Sequence, residues 1–161
     1  MTQQLTSEQV WNEIKKELFA VLGMVTAKGE ARTMGIVYIV DDKKLYASTK
    51  KDAWPTRHTQ NNPHVSMTIP IAKRIPFMPW IKIPQATITF SGTAKVFEAK
   101  NVENEILHAL LHGIESNPDE LDILSVFEIE PKGEFVTYGI GIPLIKMSDP
   151  KMARGRASVA R

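Results

Sequence analysis

The spacing of apolar residues changes from a helical period to a strand-like one near residue 20. Apolar residues recur every three to four positions from Val10 to Leu18, which predicts an N-terminal helix that runs to about Phe19. Thr6 and Gln9 have the spacing of a capping box, so the helix is expected to begin just after Thr6.

From residue 22 onward, short apolar runs alternate with polar turns, as is typical of strands. The runs are "LGMVTA", "ARTMGIVYIV", "KLYAST", "HVSMTIPI", "ATITFSGTAKVFE", "LDILSVFEIEP" and "EFVTYGI". The connections "KGE" and "DDKK" have the length and polarity of hairpin turns. Gly92 lies inside a long run and is expected to mark a bulge or bend.

Two more helices are predicted between these strands. Asp52 to Asn61 forms a short one, and it tolerates Pro55 because this residue falls in the first turn, where no N–H is needed. The other is capped by Asn101 and ends at Gly113. One of its faces carries Val102, Ile106, Leu110 and Ile114.

Six or seven strands joined mostly by short turns, with three helices around them, predict an α+β domain with a mostly antiparallel sheet. Closing that sheet into a small β-barrel removes its exposed edges. The segment at residues 70–84 contains four prolines, Pro70, Pro76, Pro79 and Pro84, so no regular element is expected there.

Composition adds few restrictions. The chain has 161 residues with 43% hydrophobic and 24% charged residues and a net charge of +2, as expected of one globular domain without a global attraction to nucleic acid. Cysteine is absent and the N-terminus is polar, so we expect a cytoplasmic protein.

Residues 146–161 carry five cations against Asp149 alone, and we interpret 1–145 as the domain and 146–161 as a basic extension. With no aromatic residues among its cations, that extension is a weak candidate for a nucleic-acid arm.

Polar and basic residues cluster where the third predicted strand meets the short helix, in "LYASTKKDAWPTRHTQNNPHVSM". Ser48 and Thr49 offer hydroxyl groups, and Lys50, Lys51 and Arg57 offer positive charge beside a helix N-terminus. Such a junction suits an anion such as a phosphomonoester. The alternative is a solvated turn in which the two lysines lie beside an aspartate.

The run "VTAKGEARTMGIVYIVDDKKLYASTKKDAWPTRHTQNNPHVSM" resembles the pyridoxamine 5′-phosphate oxidase-like family of FMN-binding split barrels. The similarity lies in a glycine-turn hairpin, an aromatic-bearing strand that ends in Ser/Thr, a short helix, and "NNP.VS" at the next strand. It extends over residues 20–98 and implies a split β-barrel and a homodimer with two FMN molecules in the cleft between subunits. C-terminal extensions similar to residues 138–159 occur in one branch of the family, so the arginines here either cover the partner's site, contact substrate or form a solvated tail.

The resemblance also implies which residues contact the cofactor. Ser48 and Thr49 meet the ribityl-phosphate, and Thr87 is a polar flavin contact from the partner subunit. Family members usually carry a basic residue where Trp54 and Pro55 stand, so Lys50, Lys51 or Arg57 must compensate. The flavin ring is lined by Thr33, Met34, Gly35, Ile36 and Val37.

The implied activity is an FMN-dependent oxidoreductase reaction on a small organic substrate. Alternatives are a flavin-binding protein without turnover, or a relative that holds deazaflavin or haem in the same cleft. The proline-rich segment either lines the space above the flavin ring, lies in the dimer interface or folds onto the core. Its large apolar residues are Phe77, Met78, Trp80 and Ile81. His108 and His112 share a helix face, but without a third ligand they do not predict a metal site.

Overall fold

One curved sheet runs through the computed structural model, which describes residues 3–75, 77–78, 80, 83–112 and 117–160. Its strands are β1 (Gln3–Gln4), β2 (Phe19–Val25), β3 (Ala31–Val37), β4 (Ile39–Asp41), β5 (Lys44–Lys50), β6 (His64–Ile71), β7 (Ala86–Glu98), β8 (Leu124–Tyr138) and β9 (Arg154–Ser158). The strand order is β1-β9-β8-β7-β6-β2-β3, and β5 pairs with β4 and with β8. Every pairing is antiparallel except that of β1 with β9.

The sheet is a barrel with one open seam, as predicted. β8 is the branch point, because its first half pairs with β5 and its second half with β9 along the edge opposite β7. At the other end of the order, β3 pairs with β2 only, and no ladder among the described residues joins β3 to β5. The prediction of a mostly antiparallel split β-barrel is therefore confirmed, although the described residues form nine strands rather than six or seven.

The local turn and cap signals are found where they were predicted. Thr6 and Gln9 form the capping box at the start of α1 (Ser7–Ile14). Gly29 has a φ of +78° in the β2–β3 turn, and Asp42 and Lys43 have φ values of 41° and 57° in the β4–β5 turn. Positive φ at both central residues is the geometry that lets a two-residue turn follow the twist of a hairpin.

Helix boundaries differ from the predictions in two places. α1 ends at Ile14 rather than near Phe19, because Phe19 is already paired with Val37 in the sheet. The helix predicted to be capped by Asn101 begins only at Asn104, as α3 (Asn104–Leu110), after a short 3₁₀ turn over Ala99–Asn101. Val102 between them is extended, with ψ of 147°. Gly113 and Ile114, predicted to end that helix, lie outside the described residues.

Short helices cover the barrel and its ends. They are α2 (Trp54–Asn61), which has Pro55 in its first turn as predicted, α4 (Pro118–Asp122) and α5 (Pro150–Ala153). None of the helices among the described residues is long and apolar enough to cross a membrane.

The barrel interior holds the main core. Trp11 of α1 packs edge-on against Phe135, and Phe135 packs edge-on against Phe90, each pair with ring centroids 5.5 Å apart. The buried Tyr38 donates a hydrogen bond from its hydroxyl to the carbonyl of Ile14, 2.8 Å away, which ties the end of α1 to the sheet. A smaller cluster beneath α3 contains Tyr46, Ala99, Ile106, Leu107, Leu110 and Val126.

The basic segment that follows residue 145 takes part in the sheet. Arg154–Ser158 form β9 between β8 and β1, and the hydrophobic alternation of this strand buries Ala157. Arg156 is 3.0 Å from Glu134 across the β8–β9 ladder. These residues are therefore a strand of the barrel and not a free basic arm, although the domain boundary at residue 145 itself stays a prediction.

The connection from β6 to β7 contains no helix or strand among its described residues, as the prolines predicted. Phe77 and Trp80 are exposed to solvent, so the idea that this loop folds onto the core of its own subunit is wrong for these two side chains. Pro76, Pro79 and Ile81 lie outside the described residues.

Candidate functional site

The predicted anion site lies where β5 runs into α2, and local hydrogen bonds fix this junction. The carbonyl of Lys50 accepts a bond from the Ala53 N–H at 3.1 Å and another from the Thr56 hydroxyl at 2.8 Å. Ala53 occupies the N-cap position and offers no side-chain cap to the helix. The first turn of α2 is therefore held against the end of β5 without a side-chain oxygen occupying the place in front of it.

The hydroxyl groups predicted to bind the anion are accessible. Ser48 is exposed and Thr49 is half-buried, and both lie on the part of β5 that pairs with the start of β8. Lys50 is exposed and forms no ion pair with any residue that the structure describes, and the same holds for Arg57 one turn into α2. These four side chains are free to contact an added anion.

Lys51 is engaged differently. Its ammonium lies 3.6 Å from a carboxylate oxygen of Glu98 on β7, and Lys100 lies 3.1 Å from the other oxygen. The hydrogen bond and charge of Lys100, followed by the charge of Lys51, lower the pKa of Glu98 below its ordinary value. The solvated-turn alternative is thus partly right for Lys51, but its partner is Glu98, distant in sequence, rather than the neighbouring aspartate.

The position where a basic residue was expected presents an aromatic ring instead. Trp54 begins α2, is partly exposed, and has its ring centroid 5.8 Å from that of His58. Pro55 is buried beneath the helix. Neither side chain carries a charge, so Lys50 and Arg57 are the exposed cations of this junction without an ion pair among the described residues.

The five residues predicted to line the flavin ring do not share one surface. Thr33, Gly35 and Val37 are exposed on the outer face of β3, whereas Ile36 points into the core and Met34 is half-buried. They do share an open backbone edge, because β3 pairs with β2 only. Cα atoms of β3 and β5 come within 8 Å of one another, so these two strands border the same seam.

Phe19 covers part of β3. A Cβ atom at Gly35 would stand 2.7 and 2.9 Å from two ring carbons of Phe19, so the ring lies directly over this glycine. Phe19 is itself half-exposed. The pair therefore forms a flat apolar shelf next to the open edge of β3.

A groove of about 440 Å³ runs across the outer face of β2, β3, β6 and β7. Of the predicted residues only Thr33 lines it. It is also lined by residues that the sequence analysis did not select, Gly23, Arg32, His64, Ser66, Ser91 and Gly92 among them. The signal for the two serines was present, because polar residues alternate with buried ones along both "HVSMTI" and "TITFSGT".

Thr87 lies on this same outer face, but away from the junction. It is opposite Tyr138 in the β7–β8 ladder and opposite Pro70 in the β6–β7 ladder. Two strands, β6 and β2, separate β7 from β3 in the sheet order. Thr87 is therefore not brought next to Thr33–Val37 within one chain, and its predicted contact requires the partner subunit.

The histidines singled out from the sequence stand apart from the seam. His108 and His112 are exposed on and just after α3, and no group of three potential metal ligands occurs among the residues described. His64, which the sequence analysis did not select, is exposed at the rim of the outer groove.

Comparison with solved structures defines the fold. The chain is a split barrel. A provisional pyridoxamine 5′-phosphate oxidase from Listeria innocua has 18% identity and a TM-score of 0.60 over 78% of this chain and 92% of its own. An F420 reductase has 15% identity and a TM-score of 0.55, with 77% and 93% of the two chains covered. HutZ, a haem storage protein from Vibrio cholerae, has 16% identity and a TM-score of 0.64, with 84% and 97% covered.

No protein-family model and no curated protein sequence matches the chain significantly. At these identities the structural similarity defines the split-barrel architecture, which pyridoxamine 5′-phosphate oxidase-like proteins share with the F420 reductase and with haem-binding proteins. A choice of cofactor and reaction has to come from the residues at the seam.

Proposed function

We propose that this protein is an FMN-dependent oxidoreductase that works as a homodimer on a small organic substrate. The observation that carries the proposal is the juxtaposition of the open β3 edge with β5, the strand that leads into the junction where Lys50 and Ser48 are accessible. An edge strand offers backbone donors and acceptors to a flat heterocycle, and the junction offers charge and hydroxyl groups to a phosphate.

The residues fit such a cofactor, with one weakness. Ser48, Thr49 and Lys50 would hold the phosphate, and the shelf of Gly35 and Phe19 would support apolar parts of the ring. The weakness is the absence of a cation at Trp54. When bound, FMN supplies hydride or single-electron transfer, and the protein orients its ring.

The homodimer is supported by apolar side chains on the outer face of the sheet. Phe19, Val25, Val37 and Val136 are exposed there beside the outer groove. Burying such a face against a second copy is favourable. It would also bring Thr87 of one subunit toward the seam of the other.

The test is the visible spectrum of the purified protein, followed by titration of the stripped protein with FMN. We expect flavin absorbance and an elution volume of a dimer in size-exclusion chromatography. A colourless protein that takes up no FMN would refute the cofactor assignment. Bleaching under anaerobic conditions on addition of NADH or NADPH would support turnover, whereas no bleaching by any donor would favour flavin binding without catalysis.

A second candidate is haem binding, and His64 favours it. Its imidazole is exposed at the rim of the outer groove, where it is accessible to an iron centre, and apolar Met24, Val25 and Val65 line the same groove. In that case the titrated protein would develop a Soret band, and H64A would lose it. Absorbance at shorter wavelength than that of FMN would point instead to a deazaflavin.

A further inference from the structure

One end of the sheet gathers the loops and strand ends that carry most of its exposed apolar groups. The register places the start of β2 beside the end of β3, the end of β6 beside the start of β7, and the end of β8 beside the start of β9. The pairings Val21–Thr68 and Thr87–Tyr138 join these three sets. We call the described residues of 15–18, 71–86 and 138–154 the apolar end. Phe19 and Val37 lie at the same end of the sheet but belong to the seam and the outer face described above.

The apolar end exposes large hydrophobic side chains to an unusual degree. They are Leu18, Phe77, Met78, Trp80, Ile145 and Met152. Phe77 is 95% exposed, Trp80 74% and Ile145 85%, so these three make almost no contact with the described part of their own chain. Isolated exposed apolar residues are ordinary, but a group of this size on one end of a small domain marks an interaction surface.

Positive charge surrounds these apolar groups. The cations of the apolar end that form no ion pair with a described residue are Lys15, Lys73, Arg74, Lys146, Lys151 and Arg154. The carboxylates in the same segments are Glu17 and Asp149, and Asp149 is occupied in capping α5 through the Lys151 N–H at 2.9 Å. The net charge of this end is therefore strongly positive, whereas the whole chain carries only +2.

Exposed aromatic and aliphatic side chains surrounded by cations are complementary to the surface of an anionic bilayer. Aromatic side chains favour the boundary between headgroups and acyl chains, and lysines and arginines favour anionic headgroups. A second protein chain would need a hydrophobic surface that also carries unpaired carboxylates. The carboxylates on the outer face of β8, Glu128, Glu130 and Glu134, are each already paired with a lysine or an arginine. Charge complementarity thus favours lipid over a second copy at this end.

We propose that the apolar end docks the protein onto an anionic membrane surface, with Phe77, Met78 and Trp80 entering the headgroup region. The apolar side chains and the cations act together, because neither a few of one nor a few of the other hold a protein firmly on a bilayer. The β5–α2 junction is separate from this surface, because it lies beside the start of β8, whereas the apolar end lies beside the end of β8. Docking would leave that junction facing the solvent.

The experiment is co-sedimentation of the full-length protein with vesicles of phosphatidylcholine alone or with about one third phosphatidylglycerol. We expect binding to the anionic vesicles only, weakened by salt. The double variant F77S/W80S should bind at least about tenfold more weakly, since burying one large aromatic group is worth at least that factor. K73Q/R74Q should lose about fivefold per cation.

Matched controls lie elsewhere on the molecule. I123S removes an exposed apolar side chain at the opposite end of the sheet, and K28Q/K43Q removes two exposed cations from other turns. Both should bind vesicles like the wild type. The proposal is overturned if the wild type does not sediment with anionic vesicles, or if F77S/W80S sediments as well as I123S. It is also overturned if F77S/W80S converts a dimer to a monomer without lipid, since these side chains would then belong to a protein interface.

Discussion

Replacement of Gly92 by alanine tests a close approach between two strands, the tightest contact with backbone atoms among the described glycines. A Cβ atom at this position would stand 2.6 Å from the carbonyl oxygen of Glu130 and 3.4 Å from the Cα of Pro131. Gly92 is directly opposite Pro131 in the β7–β8 ladder, next to a register irregularity between Thr89 and Ser91. Gly92 has no positive φ, so the destabilising part of the substitution comes from this contact rather than from backbone strain.

The magnitude follows from which atoms have to move. The obstructing atoms are backbone atoms of β8, and a real Cβ contact of at least 3.0 Å requires that strand to retreat by about 0.4 Å. Such a shift is costly, because β8 is held by β5 up to Ile129 and by β9 from Glu134, on either side of this contact. Overpacking of this kind costs about 1–3 kcal/mol, from which the lower entropy of unfolded alanine recovers roughly 0.4–1 kcal/mol. We expect G92A to lose about 1–2 kcal/mol and to melt roughly 2–8 °C lower.

Urea unfolding and thermal melting of the apoprotein measure the effect, and G35A is the matched control. The alanine at residue 35 meets only the ring of Phe19, which is half-exposed and can swing aside. G35A should therefore stay within about 0.5 kcal/mol of the wild type. Equal stability of G92A and the wild type would mean that β7 and β8 are not packed as closely as this, and the reasoning would fail.

Three further substitutions test other contacts. T6A should cost about 0.5–2 kcal/mol in urea unfolding, because it removes the acceptor for the Gln9 N–H at the start of α1, and T6S should restore it. Y38F should cost about 1–2 kcal/mol, because the carbonyl of Ile14 loses a buried hydrogen-bond donor. The phenol of Tyr46 is buried beside a carboxylate, which raises its pKa from 10.0 to about 12. The protonated phenol of Tyr46 stabilises the folded state fully below pH 10, and this contribution is lost as the pH rises toward 12. Between these pH values the stability of Y46F should therefore fall less steeply than that of the wild type.

Local chemistry was sufficient to predict the elements whose causes lie within a few residues. The capping box at Thr6, the proline in the first turn of α2 and the two hairpin turns are of this kind. β8 shows the opposite case: its two apolar runs were predicted as separate strands, yet Leu124–Tyr138 is one continuous strand. Its partners β5, β7 and β9 come from three distant parts of the chain, and a periodicity argument contains no information about them.

The sequence pattern also contained no information about distant contacts at the candidate site. The accessibility of Ser48 and Lys50 agrees with the sequence prediction, because a strand end followed by a helix start dictates it. The pairing of Lys51 with Glu98 was not predictable, since these residues are 47 positions apart and meet only through the β5–β8–β7 pairings. Likewise β1, two residues long, exists only because β9 lies beside it. Neither the Lys51–Glu98 pair nor the two-residue strand β1 leaves a pattern in the sequence that is strong enough to be recognised.

The charge at the junction, more than its shape, decides whether FMN is the ligand. A phosphomonoester carries close to two negative charges, and at this junction Lys50 and Arg57 are the cations without a carboxylate partner among the described residues. If they grip the phosphate, FMN should bind about 10- to 100-fold more tightly than riboflavin, and K50A should largely abolish that ratio while leaving riboflavin binding unchanged. K51A should reduce the ratio less than fivefold, because Glu98 already shares that ammonium. Fluorescence titration of the three proteins with both flavins measures this directly. Equal affinity of the wild type for FMN and riboflavin would show that the β5–α2 junction does not hold a phosphate.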